Sequence, residues 1–148
     1  MKYTLFFLAS VSLLGACSRE TVSYRIGTEK AFTLLREKAY PWDDEYTRAI
    51  VVMSMPKCIF RYKMPDDKGD IDKVTLYDSG DNYYVLKDKA GQYTANLEDC
   101  SMSVVERPIA DPGELRGVFE MTYDQPPRFV EAPAKPKPPA EPVLKSAD

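Results

Sequence analysis

The chain has 148 residues, with 20 Lys and Arg against 23 Asp and Glu, a net charge of −3 and no histidine. Its mild acidity argues against a nucleic-acid partner and against a polybasic membrane patch. Without histidine there is no histidine-based acid–base chemistry, no triad built on His and no His metal site.

Lys2 gives a positive start, and Leu5 to Leu14 is apolar except for Ser10 and Ser12. Such a stretch spans roughly 15 Å as a helix, about half a hydrocarbon core, which fits a signal-peptide core rather than a membrane span. It ends in Leu14-Gly15-Ala16-Cys17. This segment resembles the signal peptide and lipobox of bacterial lipoproteins. The resemblance implies cleavage before Cys17, lipidation of its thiol and attachment to a membrane. Ser18, where an aspartate would signal inner-membrane retention, points to the outer membrane, facing the periplasm. Two or three acyl chains make a stable anchor where one does not. Removing 16 of the 148 residues leaves 132 and takes away one positive charge, Lys2.

With Cys17 assigned to lipid, Cys58 and Cys100 remain. In an oxidising compartment two leftover cysteines pair, so a Cys58–Cys100 disulfide is expected. A redox or metal-binding pair is the alternative, but no Cys-x-x-Cys exists to support it.

Residues 17–24 read as a lipidated tether, and residues 25–124 as the globular domain. Thr28 can cap a helix in which Ala31, Phe32, Leu34, Leu35 and Ala39 recur at helical spacing, with Lys30, Arg36 and Glu37 in water. Pro41 ends it, and Trp42 reads as a lid over the junction of helix and sheet. Ile50 to Met55 is a buried strand. Cys58, Phe60, Tyr62 and Met64 alternate with Ile59, Arg61 and Lys63, giving a half-buried strand with Cys58 on the core side. Short strands follow at Lys73–Tyr77, Tyr83–Lys87, Gln92–Ala95, Met102–Glu106 and Val118–Tyr123. Their tight turns predict an antiparallel meander. The expected fold is α+β: one amino-terminal helix on an antiparallel sheet of about five to seven strands.

Residues 125–148 hold seven of the twelve prolines. Their composition predicts a disordered tail with polyproline II character. Ala134 to Pro142 resembles, in composition, the Pro-Lys spacers of periplasm-spanning proteins.

Asp66, Asp67, Asp70 and Asp72, then Asp78 and Asp81, suggest a calcium site, but their order fits no EF-hand loop and they read as solvated turns. Adjacent Tyr83 and Tyr84 must point to opposite faces of a strand, so at least one leaves the core and offers an interaction face. No catalytic residue, metal ligand or cofactor is expected. The leading functional reading is a membrane-anchored, non-enzymatic accessory in an envelope assembly, with a protein partner. A binding module for a small ligand, ion or glycan comes second, and a carboxylate-based enzyme third.

Overall fold

A computed structural model describes residues 18–40, 42–69, 71–122 and 124–133. The expected signal peptide, Cys17 and most of the Pro-rich segment therefore lie outside the described residues. Among the described residues there is no helix, which overturns the α+β expectation. Ten strands form two antiparallel sheets. They are β1 (Ser18–Ile26), β2 (Lys30–Lys38), β3 (Glu45–Ser54), β4 (Cys58–Lys68), β5 (Ile71–Gly80), β6 (Tyr83–Lys87), β7 (Gln92–Asn96), β8 (Ser101–Val104), β9 (Glu114–Thr122) and β10 (Gln125–Glu131). One sheet has the order β1-β2-β3-β4, the other β10-β9-β5-β6-β7-β8.

The expected helix is strand β2. Phe32, Leu34 and Arg36 are wholly buried on its inner face, and Ala31 and Leu35 are buried on its outer face. A central strand covered on both sides loses its clean alternation, and the apolar residues then mimic helical spacing. The ladder is unbroken on both sides, with Leu34 opposite Val22 of β1 and Ile50 of β3.

Two further expectations are corrected. Residues 18–24, read as tether, belong to β1, where Val22, Tyr24 and Ile26 turn inward between Ser23 and Arg25. Gln125–Glu131, read as tail, forms edge strand β10. Its prolines are tolerated because an edge strand leaves one row of N–H groups unpaired, and the register shifts between Gln125 and Arg128. The carboxy-terminal segment thus begins after β10.

The core lies between the sheets and includes Phe32, Leu34, Ile50, Val52 and Met64 from one, Val74, Leu76, Leu86, Phe119 and Met121 from the other. Edges β1 and β10 meet through Tyr24 and Phe129, whose rings are 4.5 Å apart. The opposite side is fastened by the expected Cys58–Cys100 disulfide, with Cα atoms 6.0 Å apart. Beside it, the Tyr62 hydroxyl donates to the Cys100 carbonyl at 2.9 Å.

Between β8 and β9 the chain must cross from one edge of the six-stranded sheet past β7, β6 and β5. It is tied at Gln92, whose side chain accepts from the Ile109 N–H at 2.7 Å, and at Ser79, which donates to the Pro112 carbonyl at 2.7 Å. This crossing accounts for the burial of Val85, an outward-facing position of β6. At Gly113 (φ +101°) a Cβ would collide with the Asp78 carbonyl, so only glycine allows this approach.

Topology gives the sandwich two distinct ends. The proximal end holds the start of β1, the loop from β2 to β3, and the turns β4–β5, β6–β7 and β9–β10. The distal end holds hairpin β3–β4 and the exit of β10. Nine-residue strands separate the two by roughly 30 Å.

Candidate functional surfaces

The residues singled out from sequence fall at different places. Cys17 lies outside the described residues, one bond ahead of Ser18. Cys58 and Cys100 are joined at the distal side. Of the tyrosine pair, Tyr84 is buried in the core, with its ring 5.1 Å from that of Phe32, and Tyr83 is 52% exposed. Burial, reinforced by the Asp78 carboxylate, pushes the Tyr84 hydroxyl up to about 12.

The acidic turns do not gather into one site. Asp70 lies outside the described residues. Among the described residues no group of three or more acids and cysteines is arranged to hold a metal ion. Nor are the acids simply solvated. Asp67 and Asp72 are buried, each beside a different cation. Asp66 faces Lys63 at 3.4 Å, and Asp78 is bridged to Arg116 at 2.7 Å.

Two buried arginines lie at the same end, Arg48 holding Asp72, while Lys89 holds Asp67. Arg48 projects from β3 into the core at the proximal end, 2% exposed. It donates to both oxygens of Asp72 on β5 and, at 2.9 Å, to Asp88. Asp88 uses its other oxygen to accept the Ala90 and Gly91 N–H groups, closing the β6–β7 turn. Arg36, its neighbour across the ladder, donates from Nε to Glu20 at 2.8 Å and lays its guanidinium 4.0 Å over the Tyr46 ring. Its Nη2 lies 2.7 Å from the same Glu20 oxygen without hydrogen-bond alignment, and its Nη1 has no hydrogen-bond partner. Asp67 takes the Lys89 ammonium on one oxygen and leaves the other unpaired. Burial pushes the Asp72 carboxyl up, against the opposing pull of Arg48. These residues fix the two sheets to each other at the proximal end. Only with β2 and β3 as strands do Arg36 and Arg48 fall at inward positions; the helix expected over β2 hid that signal.

Besides Ile71, Val104, Leu115 and Val130, exposed singly, the described residues show two clusters of exposed apolar side chains. At the distal end Met55, Ile59 and Phe60 are each about half exposed on hairpin β3–β4. Ile59 and Phe60 lie on opposite faces of β4, an edge strand of eleven residues whose outer row of backbone groups has no sheet neighbour among the described residues. At the proximal end Trp42 is 76% exposed. It therefore covers no core junction, contrary to the sequence reading, and stacks instead on Tyr40 at 5.2 Å with the rings 9° apart.

Surface hollows lie at the proximal end, near the aromatic pair. One of about 470 Å³ is lined by Glu37, Asp43, Asp44, Glu45, Asp66 and Lys68. No protein-family model, curated protein or solved structure matches the chain.

Proposed function

We propose that this chain is a lipid-anchored envelope protein that presents the distal β3–β4 edge of its sandwich to a protein partner, without catalysis. Cys17, in its lipobox context, supplies the membrane attachment, and Ser18 favours the outer membrane. The observation that carries the partner reading is the half-exposed cluster Met55, Ile59 and Phe60 beside the unpaired edge of β4. Exposed apolar side chains at an open sheet edge invite pairing with another chain, unless charge or a covering element blocks it. Here Arg61, Lys63 and Lys68 charge the proximal part of that edge, and the apolar cluster lies at its distal start, beside the disulfide.

The topology supports the same division of labour. The anchor side of β1 and the distal edge lie at opposite ends of the sandwich. A membrane-tethered chain would hold its distal hairpin and the end of β10 roughly 30 Å out from the lipid surface.

The test has two arms. Cys17→Ser should abolish acyl labelling and signal processing; normal maturation of that variant would refute the anchor. A photo-crosslinking residue at position 60 in the native envelope should capture a defined protein band that the same probe at Lys87 does not. Equal capture at both positions would refute the β4 edge as the contact.

A further inference from the structure

We infer that the stacked Tyr40–Trp42 pair is a second membrane contact, seated in the headgroup layer of a zwitterionic bilayer beside the acyl chains on Cys17. This rests on the lipid-anchor reading above.

The placement follows from the ladder. Ser18, the first residue of β1, lies directly across from Lys38, the last residue of β2. Cys17 precedes Ser18 by one covalent step of about 3.8 Å. Tyr40 follows Lys38 by two residues, at most about 7 Å further along the chain. With β1 starting at Ser18 there is no slack between anchor and fold, so the bilayer that receives the acyl chains must lie against this end.

What faces it is suited to the interface. Trp42 and Tyr40 are 76% and 55% exposed, and bury little of their surface in the protein. Aromatic rings with a polar handle concentrate at the boundary of hydrocarbon and water, and amphipathic anchors sink about 5–10 Å into it. The pair is also held in shape. The Tyr40 N–H donates to the Asp43 carboxylate at 2.9 Å, and the Asp43 N–H returns to the Tyr40 carbonyl at 3.1 Å. Little ordering cost then remains on insertion.

The flanking hollow is lined by Glu37, Asp43, Asp44, Glu45 and Asp66, with Lys68 the only cation among its lining residues. Most of these acids are paired with cations, Glu37 with Arg19 and Arg61, Glu45 with Lys68 and Asp66 with Lys63, so this end carries little unbalanced charge and suits a zwitterionic headgroup layer.

Trp42 is the chain's single tryptophan, so its emission reports this site alone. The full-length mature lipoprotein is reconstituted into phosphatidylcholine–phosphatidylethanolamine vesicles, with and without phosphatidylcholine brominated near the top of its acyl chains. The expected result is an emission shifted to shorter wavelength, with more than half of it lost in the brominated vesicles. Undiminished emission from protein that floats with brominated vesicles would overturn the inference and leave the anchor standing. A blue shift that grows with protein density but ignores bromine would mean that a second copy covers the pair, which also overturns it. Protein that carries no acyl label and does not float would refute the anchor, and this inference with it.

Discussion

Arg48 on β3 grips Asp72 on β5 through two parallel hydrogen bonds, 2.7 and 2.8 Å long, that cross between the sheets in a region closed to water. The guanidinium fork matches the carboxylate plane, and its third branch reaches Asp88 at 2.9 Å and the Pro65 carbonyl at 3.2 Å. One arginine thus joins β3, β5 and the β6–β7 turn.

Removing it should be costly because of what it leaves behind. Arg48→Met strands two carboxylates in the core, and breaking a buried pair from one side costs about 3–5 kcal/mol. Adding Asp72→Asn to Arg48→Met should recover part of that loss, since one buried charge disappears. Arg48→Lys should fall between, because an ammonium cannot reproduce the fork. Urea unfolding followed by circular dichroism checks the order. Equal stability of Arg48→Met and the native chain would show that the pair holds nothing together.

The disulfide makes a separate contribution. It closes a loop across a separation of 42 residues. On the chain-entropy model such a loop stabilises by about 4 kcal/mol. The double variant Cys58→Ser, Cys100→Ser should lose close to that amount, and reductant should lower the melting temperature of the native chain but not of the variant. A variant unchanged in stability would mean that the unfolded chain is already constrained there. The loss should add to that of Arg48→Met, because the two ties lie at opposite ends of the sandwich.

Where the sequence was legible, one face of a strand was wet. Cys58, Tyr62 and Met64 turn inward between Ile59, Arg61 and Lys63, and β4 starts at Cys58 as expected, although Phe60, expected on the core face, is 52% exposed. Tyr83–Lys87 was read to the residue. Where it failed, the pattern was masked by burial or by proline. In β2, Leu35 is covered on the outer face, where it pairs with Ala49, so apolar residues fall on both sides. Arg36 looked like a solvent-facing helical residue, yet its charge is held inside by Glu20 and Tyr46. In β1 the alternation of Val22, Tyr24 and Ile26 was present but short, and the anchor reading drew it into a tether. In β10, Pro126 and Pro127 pointed to disorder, while Phe129 packs on Phe119 at 4.8 Å. The ionic cluster was not legible, since it depends on which acids face which sheet. The aromatic pair was legible as residues but not as a surface.

The dependence of stability on pH should show two limbs. Burial works against ionised Asp78, but hydrogen bonds from Arg116 and the Gly80 N–H outweigh it and hold the carboxyl below its ordinary value of 3.8. Lys73 and Arg128 likewise lower Glu120 from 4.5. A depressed carboxyl stabilises the fold above its unfolded value and loses that contribution as pH falls through the folded one. Melting temperature should therefore drop below about pH 4, and Asp78→Asn with Glu120→Gln should flatten the drop. Tyr84 has the opposite sense. Its hydroxyl is raised from 10.0 to about 12, so between those values the unfolded chain ionises first and stability falls as pH rises. Tyr84→Phe should flatten that alkaline limb. Melting curves across pH, with tyrosinate absorbance followed in parallel, decide both. An acid limb unchanged in the double variant would remove Asp78 and Glu120 from the account.

Phe60 separates partner binding from stability. Its side chain is 52% exposed, and its nearest ring neighbour, Tyr62, stands 6.4 Å away between centroids. Phe60→Ser should therefore alter unfolding free energy by no more than about 0.5 kcal/mol, as for surface positions without special contacts. Phe32, wholly buried in the same sheet, should cost about 3–5 kcal/mol on truncation to alanine. If β4 is the docking edge, the surface variant loses its partner while keeping its fold, because apolar anchors at an interface carry a large share of binding energy. Replacing Ile59 by lysine should act similarly, adding a charge of the kind that blunts open sheet edges. Pull-down of the chain from solubilised envelopes, read alongside the melting temperature of each variant, makes the comparison. Partner recovery undiminished by both substitutions would move the contact away from β4.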